Sequence, residues 1–575
     1  MYAQIIPLRR LPRRFAFFDY KISEELNVQI GDLVYMPLKG RSVAGIVRGI
    51  TDTSEFKRLQ TIESIRYTKF MTSGDIKRLE LIAEQILQSP STVLTSALQG
   101  LTHSKSTPQH GSGSKSGSMD KETAKIIGTS LNDNRGSIET SFEGSIVAMS
   151  LAVKKAKNQV LVLCPREYDA ETISQFLSKP HAKLHGHTSI ARRRWIMENW
   201  QSGDLKILIG TKQSSLIPAK KIDTVIVFDP QSDDHVSYSR NPRYNARLAA
   251  ELLADQHKAQ IITVGSLSRL EQANDPIHIT PRAEAQIINL ADSREKTGIP
   301  LISETSLDAI SNALQNGKKV LISYNCKGVA KHLQCRSCHH IPMCGSCGSK
   351  PHVRLDDLVC PVCATEMWIP KACPACNKKT LSTRGIGNKK IADNLQKKFT
   401  NAKIQVIDKE HSTDSNADVS IVTEHYFQSI YKPFPENRFE LIVELMAEKS
   451  LGDNYESSIT TAYRLHRIMH MAHHHKAQCI IQTWMPKVIK PMLDSESFLE
   501  QENELREQYK LPPYADQFIM SGKLDLVPSD IRDECIEQEG SFLLTTDNKQ
   551  RKEILKRLKE LPDNVTILSK YSKYY

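Results

Sequence analysis

Apolar positions along this chain follow three rhythms. Up to about residue 68 they come in short alternating runs, Val28–Ile30, Leu33–Met36 and Val43–Val47, broken at Gly31-Asp32 and Lys39-Gly40. Alternation between turn residues predicts a small β-rich domain over residues 1–68. Residues 69–100 change to helical spacing, which predicts helices over Asp75–Leu87 and Ser91–Leu98. The pattern then lapses. His103–Pro108 and the Ser/Gly run Gly111–Ser118 read residues 101–135 as a flexible polar linker.

From about residue 144 the third rhythm sets in. Val160–Cys164, Ile207–Gly210, Thr224–Phe228 and Gln260–Val264 are short, continuous apolar runs, with helical stretches such as Asp169–Leu177 and Asn245–Leu253 between them. A strand that is apolar on both faces belongs in a parallel sheet covered by helices. A second series follows at Lys319–Ser323, Lys403–Ile407, Val419–Val422, Phe439–Val443 and Gln478–Gln482. The pattern predicts a multidomain α/β protein. Its lobes span 136–290 and 291–486, and a C-terminal α/β domain over 487–575 opens with the acidic helix Ser497–Gln508.

The cysteines interrupt the second lobe. Eight of twelve fall between Cys335 and Cys376, as the pairs Cys335/Cys338, Cys344/Cys347, Cys360/Cys363 and Cys373/Cys376. A C-x-x-C turn aims two thiolates at one point, two turns complete a tetrahedral ion, and four make two sites. Disulfides or a redox pair would need an oxidising compartment or a single C-x-x-C. We therefore expect two structural Zn²⁺, each closed by four thiolates, in a module over 335–376 that cannot fold without metal. Spacing alone leaves the pairing open between neighbouring pairs and a nested arrangement. His339, His340 and His352 are surplus to eight thiolates and read as solvated or supporting groups.

Charge adds a direction. Lysine plus arginine number 77 against 65 acids, a net charge of +12, which tilts the chain towards a polyanion. No apolar run reaches the roughly 18 residues of a membrane span, and Met1–Tyr20 lacks the apolar stretch of a signal peptide. A cytoplasmic, nucleoid-associated protein is the expectation. Arg9, Arg10, Arg13 and Arg14 stand just before Phe17-Phe18-Asp19-Tyr20. Charge for phosphate and rings for stacking suit nucleic acid, against the alternative that the rings are core and the arginines a solvated face. His473-His474-His475 reads as surface, because three consecutive histidines cannot face one metal from a helix.

Two α/β lobes with an eight-cysteine insertion in the second resemble the primosomal protein N′ (PriA) family of bacterial replication-restart helicases. Phe18-Asp19-Tyr20, Gly31–Val34 and Ala44–Val47 look like that family's N-terminal domain, which grips a 3′ DNA end. Pro242–Arg247 looks like its aromatic-rich linker, Gly265–Glu271 sits where a Gly-Ser-Ala-Thr-Pro motif belongs, and Leu511–Tyr514 fits the start of its C-terminal domain. The resemblance implies RecA-like lobes and DNA contacts at Phe18, Asp19, Tyr20, Tyr238, Arg243, Tyr244 and Arg247. It also implies nested zinc pairing: Cys335, Cys338, Cys373 and Cys376 on one ion, Cys344, Cys347, Cys360 and Cys363 on the other. The family's winged helix has no counterpart beside the linker.

The helicase motifs depart from the family. A P-loop needs G-x-x-x-x-G-K-[ST], so that amides cradle phosphates, lysine neutralises them and a hydroxyl holds Mg²⁺. The corresponding slot, Gly136–Glu143, has Phe142 for the lysine and Glu143 for the hydroxyl. The acidic motif reads Asp229-Pro230-Gln231-Ser232; Asp229 could still meet Mg²⁺, but Pro230 cannot polarise water. Of the late paired arginines only Arg467 is a candidate finger. The reading is a DNA-binding protein of replication restart, recognising forked or single-stranded DNA, with ATP and Mg²⁺ doubtful and the motor idle. Its partners would be restart proteins and the replicative helicase loading machinery, with no membrane. Two alternatives stand beside it: an active ATP-dependent 3′-to-5′ helicase with an atypical nucleotide site, and a protein-interaction scaffold built on the zinc module.

Overall fold

The computed structural model describes residues 1–56, 59–101, 135–238, 241–272, 276–278, 281–292, 301–325, 332–346, 350–354, 357–360, 365–384, 387–408, 416–431, 438–452, 455–538, 540–547 and 549–570. The linker expected at 101–135 lies almost wholly outside them. The described chain forms two units, Met1–Ile279 with Glu496–Tyr575, and Thr280–Ser495.

The first unit opens with a five-stranded antiparallel sheet of β1 (Tyr2–Pro7), β2 (Phe18–Lys21), β3 (Leu33–Leu38), β4 (Arg41–Thr51) and β5 (Ser64–Tyr67), in the order β2-β1-β4-β3-β5. Lys39 and Gly40 both take positive φ, 51° and 72°, the two-residue turn whose twist matches a hairpin. Gly31 is required where it stands. Its φ is +91°, and a Cβ would lie 1.8 Å from the Met71 carbonyl oxygen. Val28–Ile30, expected as a strand, is instead irregular backbone leading into that turn. Helix Ser73–Gln85 starts at a Thr72/Asp75 capping box, and helix Pro90–Ala97 starts at Ser89 with proline in its first turn.

These two helices share a core with the first lobe. Leu79, Ile82, Val93, Leu161, Trp200 and Ala249 belong to one buried cluster. The lobe is a seven-stranded sheet, β12-β6-β11-β10-β7-β9-β8, and its paired strands all run parallel. Its strands are β6 (Arg135–Glu139), β7 (Gln159–Leu163), β8 (Ala182–Leu184), β9 (Ile207–Gly210), β10 (Ile222–Phe228), β11 (Gln260–Gly265) and β12 (Pro276–His278). Val160, Val162, Ile209, Ile226 and Ile262 line its other face under helix Phe142–Lys155, so both faces are dry.

The C-terminal domain is a four-stranded antiparallel sheet over Asp516–Lys570. It belongs to the first unit through Arg13, whose buried guanidinium donates to the carbonyls of Leu558 (3.2 Å) and Val565 (2.7 Å). Arg13 is therefore a structural cation, not one of the exposed basic groups expected before Phe18.

The second unit carries a six-stranded parallel sheet in the order β13-β23-β22-β14-β21-β20. These are β13 (Ala285–Asn289), β14 (Val320–Ser323), β20 (Ile404–Ile407), β21 (Val419–Val422), β22 (Leu441–Glu444) and β23 (Gln478–Thr483). β13 falls within the range read as the first lobe but pairs with β23, so this sheet begins earlier than its apolar runs suggest. Between β14 and β20 lies the cysteine module, with a ribbon β15–β19 (His332–Cys335, Leu381–Arg384) and a three-stranded sheet β16-β17-β18 (His352–Arg354, Asp357–Val359, Glu366–Trp368). Among the described residues no helix is long and apolar enough to cross a membrane.

Candidate metal centre and nucleic-acid interface

Two cysteine turns in the module are built alike. Cys335 N–H donates to the His340 carbonyl at 2.9 Å, and Cys373 N–H donates to the Lys378 carbonyl at 3.0 Å. The residue after each second cysteine is left-handed, His339 at φ 58° and Asn377 at φ 55°. That bend turns both sulfurs of a pair to one side. The two turns face each other, with Cys335 Sγ 3.6 Å from Cys376 Sγ and Cys338 Sγ 3.5 Å from Cys373 Sγ. All four sulfurs lie within 4.8 Å of one another, so the donor set fits a tetrahedral thiolate ion. Spacing left this pairing open; the geometry selects the outer two pairs. Thr380, which no spacing argument found, has its hydroxyl 3.2 Å from Cys335 Sγ and, as the leading cause, draws that thiol down to about 5. Cys338 is raised in turn, so the cluster keeps protons that a bound metal would displace.

The inner pairs are described only in part. Cys344 and Cys360 are buried, while Cys347 and Cys363 lie outside the described residues. Cys360 N–H donates to the Thr365 carbonyl at 2.9 Å, the same closure as the two outer turns.

At the N-terminal domain, β2 pairs with β1 so that Phe18 lies opposite Ile5 and Asp19 opposite Gln4. Phe18 is half-buried, with the Phe15 ring 6.0 Å away and the Arg14 guanidinium 5.3 Å above Phe15. Asp19 accepts from the Ser54 hydroxyl at 2.6 Å through Oδ2, while its Oδ1 is buried without a hydrogen-bond partner among the described residues. Tyr20 is buried and donates to the Pro37 carbonyl at 2.8 Å, so it supports the strand from inside. Arg10 donates to the Asn241 carbonyl at 3.1 Å and joins this edge to the 238–247 segment.

In that segment the expected contacts separate. Tyr238 is 42% exposed and accepts the Arg243 side chain on its carbonyl at 2.9 Å, so both stand at the surface. Tyr244 is 5% exposed, packed in the lobe's core, and burial pushes its phenol far up. An aromatic in a basic stretch looks the same in sequence whether it stacks on a base or fills a core. Arg247 holds the loop after β10 by donating to the carbonyls of Pro230 and Ser232, and burial draws it down to about 10.

The nucleotide slot has an unusual backbone for a phosphate cradle. Of its eight residues, Gly136–Glu139 are strand and Phe142–Glu143 are helix, which leaves Thr140 and Ser141 as the whole connection. Thr140 N–H donates to the Gly265 carbonyl at 2.8 Å, and the Ser141 hydroxyl accepts Gly144 N–H at 3.1 Å. Two amides that could meet phosphate are thus engaged by the chain itself. Phe142 stacks on Phe228, centroids 5.1 Å apart, and Glu143 is buried. Asp229 is held at φ 53° and pairs with Arg166 at 3.4 Å. Arg166 also reaches Asp169 at 2.9 Å and Asp234 at 3.5 Å. Burial lifts Asp169 to about 6, with Arg166 pulling the other way. Arg166 has no motif around it. Its signal was positional, at the carboxyl end of a parallel strand, where α/β sheets bind ligands. Arg467 pairs with Glu424 and lies 4.6 Å over Phe427.

Two family models match this chain. The 3′ DNA-binding domain (3′BD) covers residues 6–99, and the helicase conserved C-terminal domain covers residues 144–245. Replication restart protein PriA of Rickettsia conorii is 25% identical over 566 residues, covering 86% of this chain and 84% of that protein. Its counterpart in Helicobacter pylori strain 26695 is 24% identical over 545 residues, 89% of this chain and 85% of that one. That of Thermotoga maritima is 24% identical over 400 residues, 63% and 53%. With an N-terminal sheet, two parallel-sheet lobes and a four-cysteine cluster, the chain is similar to replication restart protein PriA over most of its length.

Proposed function

We propose that this chain is a DNA-binding protein of replication restart that recognises forked or gapped DNA and carries an idle motor. The observation that carries the reading is Asp19. One oxygen is held by Ser54, and the other, beside Phe18, is buried with no hydrogen-bond partner among the described residues, an acceptor left to be satisfied. A terminal 3′-hydroxyl donates to such an acceptor, whereas a 3′-phosphate is repelled by the carboxylate. Arg14, Phe15, Tyr238 and Arg243 offer the charge and rings that follow a DNA backbone; Tyr20, Tyr244 and Arg247 position them from behind. The zinc module would hold two Zn²⁺, the second on Cys344, Cys347, Cys360 and Cys363. Recruitment of restart proteins and of the helicase-loading machinery, in the cytoplasm at the nucleoid, follows from the likeness to PriA. The idle motor rests on the two-residue connection at Thr140-Ser141 and on Arg166 occupying Asp229.

The test is fluorescence anisotropy on forks ending in a 3′-hydroxyl or a 3′-phosphate. Wild type should prefer the hydroxyl end, Asp19→Ala should lose the preference and roughly tenfold in affinity, about 1.4 kcal/mol, and binding should weaken steeply with salt. Equal binding of both ends by wild type would refute the 3′-end reading. For the motor, ATP turnover with single-stranded DNA should stay at background. Turnover in wild type that disappears in Asp229→Ala would overturn the idle-motor reading.

A further inference from the structure

A second convergence of metal-ligand side chains lies in the first lobe, outside the cysteine module. Glu167 opens the helix Glu167–Ser174, and His185 and His187 follow β8 with Gly186 between them. His185 Nδ1 lies 2.6 Å from Glu167 Oε1, and His187 Nδ1 lies 2.6 Å from Glu167 Oε2. One ligand atom from each of the three lies within 4.8 Å of the others. The loop that presents the histidines is fixed from behind. Arg193 donates to the carbonyls of His185 (2.6 Å) and Gly186 (3.1 Å), and His185 N–H donates to the Thr188 hydroxyl at 3.0 Å.

The two imidazoles meet the carboxylate differently. His187 makes an ordinary hydrogen bond. His185 does not, for its Nδ1 is buried and out of hydrogen-bond geometry with the oxygen only 2.6 Å away. Its Nε2 faces Glu171 Oε1 at 3.2 Å, and Glu171, one turn further along the helix, is paired with Lys183. Glu171 approaches the far nitrogen without a hydrogen bond to it, and a neutral His185 protonated on Nε2 presents the Nδ1 lone pair to Glu167. That lone pair then confronts an oxygen lone pair at contact distance, with no proton on the line between them. A cation at the common point relieves the clash.

We propose that Glu167, His185 and His187 form a site for a borderline divalent transition metal, Zn²⁺, Co²⁺ or Ni²⁺, with Glu171 positioning His185. Two imidazoles and one carboxylate suit that class; Mg²⁺ and Ca²⁺ want oxygen throughout. Three protein ligands leave coordination positions for water or an anion. The site adjoins Arg166 in sequence, so metal at Glu167 sits beside the residue that holds Asp229.

The test uses full-length protein with its cysteine sites already filled with Zn²⁺, titrated with more Zn²⁺ by calorimetry at pH 7.5. One further equivalent is expected, weakened at least tenfold in His187→Ala and in Glu167→Gln. His187 is 87% exposed, so its truncation leaves the core intact. Zinc content before titration should be the same in all three proteins. Co²⁺ taken up in place of the added Zn²⁺ should show no thiolate charge-transfer band. No further equivalent in wild type, or one that survives in both variants, overturns the site.

Discussion

The cysteine module and the phosphate slot make an instructive pair. Each asks a short stretch of backbone to hold several groups around one small charged body. In the module the instruction is met twice over, by left-handed residues at His339 and Asn377 and by matching amide closures. In the slot the backbone is spent otherwise: the strand runs on to Glu139, the helix starts at Phe142, and a ring pair and a serine cap take up the space and the amides. A metal site depends on its ligands for the fold of its module, so losing them removes the module. A phosphate loop lies on a lobe whose sheet is held by its own apolar faces. Its residues can drift while the lobe stays folded.

That contrast can be broken most forcefully at Cys373. Cys373→Ser should release one Zn²⁺ and unfold the module, because structural zinc contributes on the order of 10 kcal/mol to such a fold, while both lobes keep their helical signal. Zinc content with limited proteolysis measures both. A module that stays protease-resistant without that ion would erase the contrast.

Acid should then drive the two regions in opposite directions. The module loses metal as its thiolates are protonated. Asp169, beside the slot, has a folded pKa of about 6, above its ordinary 3.8. The folded state therefore binds the proton more tightly, and unfolding free energy falls as pH rises from about 4 to about 6, by at most about 3 kcal/mol for a shift of this size. Asp169→Asn should flatten that slope in urea melts of the zinc-loaded protein. An unchanged slope would mean Arg166 compensates the charge fully.

The smallest expected effect is the most telling. Restoring side chains alone, with Phe142→Lys and Glu143→Thr together, should give no measurable ATP binding by calorimetry, since the two-residue connection provides no cradle. Recovered binding would show that only side chains were lost.

Much of this was legible in the residues. Continuous apolar runs located β7, β9, β10, β11 and the five later strands of the second sheet to within two residues, because burial on both faces leaves no room for polar positions. β6 escaped because its polar residues are satisfied inside: Ser137 meets the Ser268 hydroxyl at 2.6 Å, and Glu139 accepts Ser268 N–H at 2.8 Å. His475, expected at the surface with its neighbours, is buried. It accepts the Phe439 N–H at 3.0 Å, and burial draws it down to about 4, a partner far away in sequence that no local pattern announces. The eight cysteines announced metal but not its partition. Asp19 was named from resemblance, while its buried, unbonded oxygen needed Ser54 placed in space.

The guanidinium of Arg13 carries one more lesson. Its two acceptors, Leu558 and Val565, lie 545 and 552 residues away. While a ribosome is still making the middle of the protein, this cation has nothing to hold. The backbone around Arg13 can therefore settle only after the tail sheet emerges. Cutting that sheet away would strand a buried charge instead of trimming an ornament.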